Sequence, residues 1–188
     1  MRLRLRLLLS FFLAFLRPKL GLLDTGIFFI RVLPNDLDVF RVSSDRYISY
    51  LDLARNDLAI RNGVAKAIRQ TKAVPLARMV TLRYRYAARL FDRLEIRSRI
   101  ACWGDSHAWF EQEIFRSGRS ILVAYFKLEL RSKEVAVTAV QVLQLAGAGG
   151  LASPPPPQAV YLLEQQEDTV RAMQHERESA AFQETHSK

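Results

Sequence analysis

Few side chains in this sequence combine a reactive type with a useful spacing. Cys102 is the sole thiol, and His107 is the sole imidazole outside the polar C-terminal stretch that holds His175 and His186. A catalytic thiolate–imidazole pair would have to be these two. Cys102, however, alternates with Ile100 on an apolar face beside a turn, which reads as a buried structural thiol. One cysteine excludes a disulfide framework and a thiolate-rich zinc site, and the histidine count excludes a histidine-rich one, so no metal is expected. The carboxylates Asp36 and Asp38 sit in a turn-rich stretch, where aspartate serves local hydrogen bonding. Asp52 falls within a helical pattern, where Arg55 or Asn56 would pair with it. Arg83, Arg85, Arg89, Arg93, Arg97 and Arg99 alternate with apolar residues, which gathers many of them on one sheet face. The plain reading of that face is solvation. In the sharper one, guanidinium groups clamp phosphate, with Arg83, Arg85 and Arg97 as the candidates. Tyr84 and Tyr86 point the other way, so a stacking platform is lacking and nucleic acid is disfavoured as a partner.

These groups need elements to position them. The run TGIFFIRV, Thr25 to Val32, is aromatic and β-branched and closes at Pro34, Asn35 and Asp36, which predicts a first strand. From Asp45 to Asn62, Tyr47, Leu51, Ala54 and Leu58 recur at helical spacing and Gly63 supplies a stop, predicting one long buried helix. Period-two patterning then predicts four strands. They start near Leu76, where Val80, Leu82, Tyr84 and Tyr86 share a face, and continue over Leu94 to Trp103, Ala108 to Arg116 and Ser120 to Arg131. Turns at Gly104-Asp105-Ser106 and Ser117-Gly118 make them an antiparallel meander. Val135 to Leu145 fits either a further strand or a short helix. One strand, one long helix and a meander predict an α+β domain whose curved sheet wraps a central helix.

The 188 residues, 49% of them hydrophobic, allow one core-forming domain with short extensions. That domain is expected over 25–146. Residues 147–157 end in four prolines and read as a linker, and 158–188 as a polar tail with a surface helix around Tyr161 to Met173. Net charge is +9, and its excess lies ahead of the tail, which holds six acids against three bases. Such a field favours nucleic acid, an acidic membrane surface or a phosphorylated small molecule. In residues 1–24, Arg2, Arg4 and Arg6 precede an apolar stretch from Leu7 to Leu16, with no acid before Asp24. The stretch falls short of the roughly 18 to 20 residues that span a bilayer, and no small-residue cleavage site follows it. It predicts an uncleaved anchor or interfacial helix that makes the chain membrane-associated, with Arg17 and Lys19 at the headgroups. A mitochondrial presequence is the alternative.

The stretch LPNDLDVFRVSSDRYISYLDLARNDLAIRNG carries a more specific signal. It resembles the part of thioesterase-like hot-dog proteins, of the 4-hydroxybenzoyl-CoA thioesterase type, that reads as two near-adjacent aspartates, a His-x-Asn-Asn element, Arg-Tyr and an Asp-x-Ala-Arg helix. Asp36, Asp38, Arg46, Tyr47, Asp52, Ala54 and Arg55 match it. VTLRYRYAARLFDRLEIRSRIACWGDSHAWFEQEIFRSGR resembles the same group's second half, so the likeness covers roughly residues 26 to 132. It implies a single hot-dog fold, an antiparallel sheet wrapped around one long central helix. It also implies hydrolysis or binding of acyl-CoA or another acyl thioester without a cofactor, in a homodimer with active sites between subunits.

The resemblance further implies that Asp38 acts as nucleophile or general base, and that backbone N–H groups of Ser44, Asp45 and Arg46 polarise the carbonyl at the helix N-terminus. Asp52 is the alternative carboxylate, since some hot-dog enzymes place theirs on the helix. Arg83, Arg85 and Arg97 would meet the phosphates of coenzyme A. An endomembrane address, the endoplasmic reticulum, is implied as well. The sequence departs from the pattern at Arg41-Val42-Ser43-Ser44, which replaces His-x-Asn-Asn, and the interval from Asp38 to Tyr47 is one residue short. That departure predicts the alternative function of a catalytically degenerate hot-dog protein, acting as an acyl-binding or structural subunit of a larger assembly.

Overall fold

The computed structural model describes residues 12–131 and 137–186, with side chains to residue 178. The aromatic run near the start forms strand β1 (Gly26–Arg31). A one-turn 3-10 helix, Pro34–Asp36, leads into a two-strand hairpin of β2 (Leu37–Asp38) and β3 (Arg41–Val42). Ser43, in extended conformation, then starts helix α1 (Ser44–Arg61). A short helix α2 (Val64–Gln70) precedes strands β4 (Val74–Tyr84), β5 (Arg93–Trp103), β6 (His107–Arg116) and β7 (Arg119–Arg131). The β2–β3 hairpin and α2 are too short for a periodic signal, and neither is anticipated by the pattern of apolar residues.

The five long strands form one antiparallel sheet in the order β1-β5-β6-β7-β4. The strand that follows the helix is therefore carried to the far edge, and the meander fills the middle. Alternation along each strand turns Ile96, Ile100, Phe110, Ile114, Leu122 and Phe126 toward α1, which buries Tyr47, Leu51, Ala54 and Leu58 against them. Gly63 has φ +84°, and a Cβ there would lie 3.3 Å from the Ala146 carbonyl oxygen. Only glycine suits that junction between α1 and α2.

Two local expectations are corrected. A bulge between Ile100 and Cys102 breaks the alternation, so that Ile100 pairs with Phe110 while Cys102 pairs with Trp109 on the opposite face. Cys102 is buried all the same. The stretch left open between strand and helix lies partly in residues 132–136, outside the described residues; beyond them Ala139–Leu143 is a helix, α3, started by a Thr138/Gln141 capping box. Packing also continues past residue 146, since Ala148 belongs to the core. Residues 155–188 form a separate compact unit, whose structure is a single helix, α4 (Gln158–His186).

Leu58 has no exposed surface and anchors α1 to the sheet side of the core. Leu58→Ala is expected to lower unfolding free energy by about 3 kcal/mol, read as a shift of the urea midpoint at unchanged slope.

Candidate functional site

A polar residue at an inward-facing strand position organises the region under α1. Gln112 lies between Phe110 and Ile114 on the buried face of β6 and has no exposed surface. Its amide Nε2 donates to the Leu51 carbonyl at 2.9 Å and to Ser98 Oγ at 2.7 Å, while its Oε1 accepts from Arg55 Nη1 at 2.8 Å. The Arg55 guanidinium also lies 4.0 Å over the Phe126 ring and forms an ion pair with Asp52, one turn earlier on α1. A largely buried cation is thus held on three sides. Burial depresses the Arg55 pKa, against the raising effect of Asp52.

Asp52 is the solvent-facing end of that chain of contacts, since its side chain is half exposed. Desolvation raises its pKa, and the Arg55 cation and hydrogen bond oppose that rise without cancelling it. It stands on the wall of a cavity of about 380 Å3 between α1, α2 and strand β4, whose apolar lining includes Leu53, Ile68, Pro75, Phe110 and Leu128. Ser49, Arg55 and Asn56 supply the other polar groups. An apolar cavity whose few polar groups all come from α1 suits a chain-like apolar ligand with a polar head. Among the described residues, no three His, Cys, Asp or Glu side chains converge on a metal ion.

Asp38 lies elsewhere. It is exposed at the end of β2, pairs in register with Arg41, and does not line the cavity. The turn joining it to Arg41 holds Val39 at φ 57°, the left-handed region that β-branched residues avoid, and leaves Val39 and Phe40 strongly exposed. Asp36 is the structural member of the pair: buried, it accepts from the Leu33 N–H at 2.8 Å, and its carbonyl accepts from the Ser43 N–H. Ser44, Asp45 and Arg46 form the first turn of α1 as expected. The Arg46 N–H donates to the Ser43 carbonyl at 3.1 Å, and the Ser43 hydroxyl, with help from Arg46, holds the exposed Asp45 carboxyl below its ordinary pKa. At a rise of about 1.5 Å per residue, Asp52 lies roughly 12 Å along the axis from Ser44. One carbonyl cannot meet both, so the structure separates the hairpin carboxylate and helix N-terminus from the cavity carboxylate.

The three arginines are not gathered. Arg83 pairs with Val123, Val123 with Glu113 and Glu113 with Arg97, which puts Arg83 and Arg97 on one face but three strands apart, about 14 Å. That is the outer face, away from α1 and the cavity. Arg97 is engaged by Glu95 at 2.7 Å and by the Phe115 ring at 4.3 Å, and Arg85 lies past the end of β4. Alternation identified the face correctly and could not reveal the span across it. Gln112 and Ser98 were missed, although each is a polar residue in an inward register between apolar neighbours, a pattern visible in the sequence.

A long helix laid on a five-stranded antiparallel sheet of this order is the hot-dog fold. Solved structures share it. The probable thioesterase YbaW from Escherichia coli superposes with a TM-score of 0.59 at 20% identity, covering 64% of this chain and 98% of its own. The BH1999 gentisyl-coenzyme A thioesterase gives 0.56 at 19% identity, covering 65% and 98%. The family model described as thioesterase-like superfamily matches residues 32–162. The chain belongs to the thioesterase-like superfamily. Protein THEM6 from Xenopus laevis is 37% identical over 82 residues, which is 43% of this chain and 40% of that protein, so the match spans about two fifths of the relative's length.

Gln112→Leu would leave the Arg55 charge buried with one acceptor fewer, and is expected to cost about 2 to 3 kcal/mol in chemical denaturation. Replacing Arg55 and Gln112 together by leucine should cost less than the sum of the single replacements, because neither group is then left without its partner.

Proposed function

We propose that the chain binds acyl thioesters in the cavity beside Asp52 and hydrolyses them there. The observation that carries this reading is a half-buried carboxylate, paired with a buried arginine, on the α1 wall of an otherwise apolar cavity in a thioesterase-family domain. In the reaction, Asp52 takes a proton from water as the oxygen attacks the thioester carbonyl. The tetrahedral intermediate collapses, the carbon–sulfur bond breaks, and the departing thiolate receives the proton from Asp52. The Asn56 carboxamide on the same wall is the candidate donor to the developing oxyanion. Arg55 favours the ionised carboxyl and so opposes the rise in its pKa that desolvation causes.

A homodimer supports this chemistry. Strand β4 is an 11-residue edge, and Val74, Leu76 and Val80 remain 57%, 41% and 40% exposed along it. A long apolar edge is a template for a second strand. Pro75 and Ala77 of that edge line the cavity, so a second copy paired along β4 would wall its open side. The N-terminal segment is read as an interfacial anchor, favoured for the endoplasmic reticulum with the mitochondrion as the alternative. Residues 12–16 are helical with Phe12, Phe15 and Leu16 at 65%, 75% and 70% exposure. Its first eleven residues lie outside the described ones, and no described helix is long and apolar enough to cross a membrane. One expectation is corrected here. Arg17 does not reach toward headgroups, because it donates to the buried Asp57 carboxylate at 3.0 Å. The exposed Asp38 and its strained turn favour the second reading, an acyl-binding protein without turnover, which would use the same cavity.

Free thiol release from acyl-CoA esters of graded length separates these readings. Asp52→Asn should lose at least 100-fold in kcat/KM and Asp38→Asn less than 5-fold; the reverse ranking would move the chemistry to the hairpin. Binding of esters with no release by the wild type would leave the acyl-binding reading. Since burial raises the Asp52 pKa and the base works ionised, the acid limb of the pH–rate profile should lie above the ordinary carboxylate value of 3.8 and vanish in Asp52→Asn. In native mass measurements the wild type should be a dimer, and Val80→Asp should weaken it by at least about 10-fold. A monomeric wild type, or an undisturbed Val80→Asp dimer, would remove the edge pairing.

A further inference from the structure

A depression larger than the cavity beside Asp52 lies at the C-terminal end of α1. About 680 Å3 in volume, it opens between the end of α1, the start of α2, the turn at Leu145–Ala146 and the N-terminal segment. Its floor is apolar, with Phe15, Leu20, Ile60 and Leu145, and its cations are Lys19, Arg61, Lys66 and Arg69. No carboxylate lines it. Arg61 is satisfied by Asp57 at 3.2 Å and by the Pro18 carbonyl at 2.9 Å, whereas Lys19, Lys66 and Arg69 have no carboxylate partner among the described residues. Asn62, on the same wall, is buried and accepts from the Val64 N–H, yet its Nδ2 donor has no hydrogen-bond partner.

The groove is held in shape. Leu20 N–H donates to the Arg61 carbonyl at 3.1 Å, and the Arg17–Asp57–Arg61 contacts tie the segment ahead of it to the last turn of α1. Phe15, Lys19 and the α2 cations therefore keep fixed places relative to one another. Phe12, Leu13 and Leu16 extend the apolar surface beyond the rim.

We infer that this groove seats the phosphate-bearing headgroup of an anionic membrane lipid, with Lys19, Lys66 and Arg69 on the phosphate and Phe15, Leu20 and Leu145 along the start of the acyl chains. Unpaired cations around an apolar floor match a ligand that is anionic at one end and apolar at the other, and the volume falls in the range of ligand sites. A free phosphate ester would not use the floor. The exposed apolar helix at the rim points to a bilayer as the source. The site fixes which face of the domain meets the membrane. The choice of a bilayer as the source draws on the interfacial reading of the N-terminus, whereas the cation site itself stands apart from that reading and from thioester hydrolysis.

The test floats the full-length chain with vesicles of phosphatidylcholine alone and with a fifth of that lipid replaced by phosphatidic acid. The anchor accounts for binding to neutral vesicles, and the groove for a several-fold increment with phosphatidic acid. Lys66→Glu/Arg69→Glu alters two exposed side chains and should weaken the increment by roughly 10-fold or more while neutral binding and melting temperature stay unchanged. The charge-matched Arg171→Glu/Arg177→Glu on α4 should keep the increment. Equal loss in both double variants would assign the preference to overall charge, and no loss in either would empty the groove of this role; each overturns the inference. Removal of the protein from vesicles by millimolar coenzyme A would assign the cations to a soluble phosphate ester and overturn it as well. Failure of neutral binding with the increment intact would sink the anchor and leave the groove.

Discussion

The geometry around α1 depends on keeping one guanidinium charge inside the protein. Arg55 projects from the buried side of the helix, where leaving water costs several kcal/mol unless every side of the cation is answered. Gln112 answers from β6, the Phe126 ring from β7 and Asp52 from the helix itself. Because Gln112 also bonds the Leu51 carbonyl and Ser98, the same contacts set the height and rotation of α1 over the middle strands. The apolar contacts of Leu51 and Leu58 supply most of the attraction between helix and sheet, but they are non-directional. The hydrogen bonds select one register out of several that would bury similar area.

Three stations along α1 follow from that placement. At the N-terminus the strained β2–β3 turn presents Asp38 and Phe40 to solvent. In the middle, Asp52 reaches the cavity that opens toward the β4 edge. At the C-terminus, the buried Asp57 is neutralised by Arg61 from its own helix and Arg17 from the N-terminal segment. That last triad explains why the segment after the apolar helix is part of the domain and not a loose tether. A buried carboxylate with one partner withdrawn is costly, so Arg17 is retained where a headgroup would otherwise compete for it.

The long elements were legible because their periodicity extends over many residues. Leu51, Ala54 and Leu58 repeat at helical spacing, and Ile96, Ile114 and Leu122 alternate on strands long enough for the period to declare itself. Three other features needed geometry. A bulge shifts Cys102 to the opposite face without leaving any mark in the alternation. The distance between Arg83 and Arg97 depends on strand order, which periodicity does not encode. The choice between Asp38 and Asp52 turns on which carboxylate faces a cavity, a property of the packed helix pair α1 and α2 with β4. The family pattern drew attention to Asp38, while the Asp52-x-Ala-Arg55 match carried the residues that the structure joins. Gln112 is the instructive omission, since a fully buried amide in an apolar register calls for a buried partner.

The account stands on the cavity beside Asp52 as the seat of the acyl thioester. A crystal structure of the chain with a non-hydrolysable thioether analogue of an acyl-CoA tests it most directly. The acyl chain is predicted to lie among Leu53, Ile68, Pro75, Phe110 and Leu128, with the atom next to sulfur within hydrogen-bond reach, through one water, of the Asp52 carboxylate. An analogue bound against Asp38 and the first turn of α1, with the cavity unfilled, would contradict it.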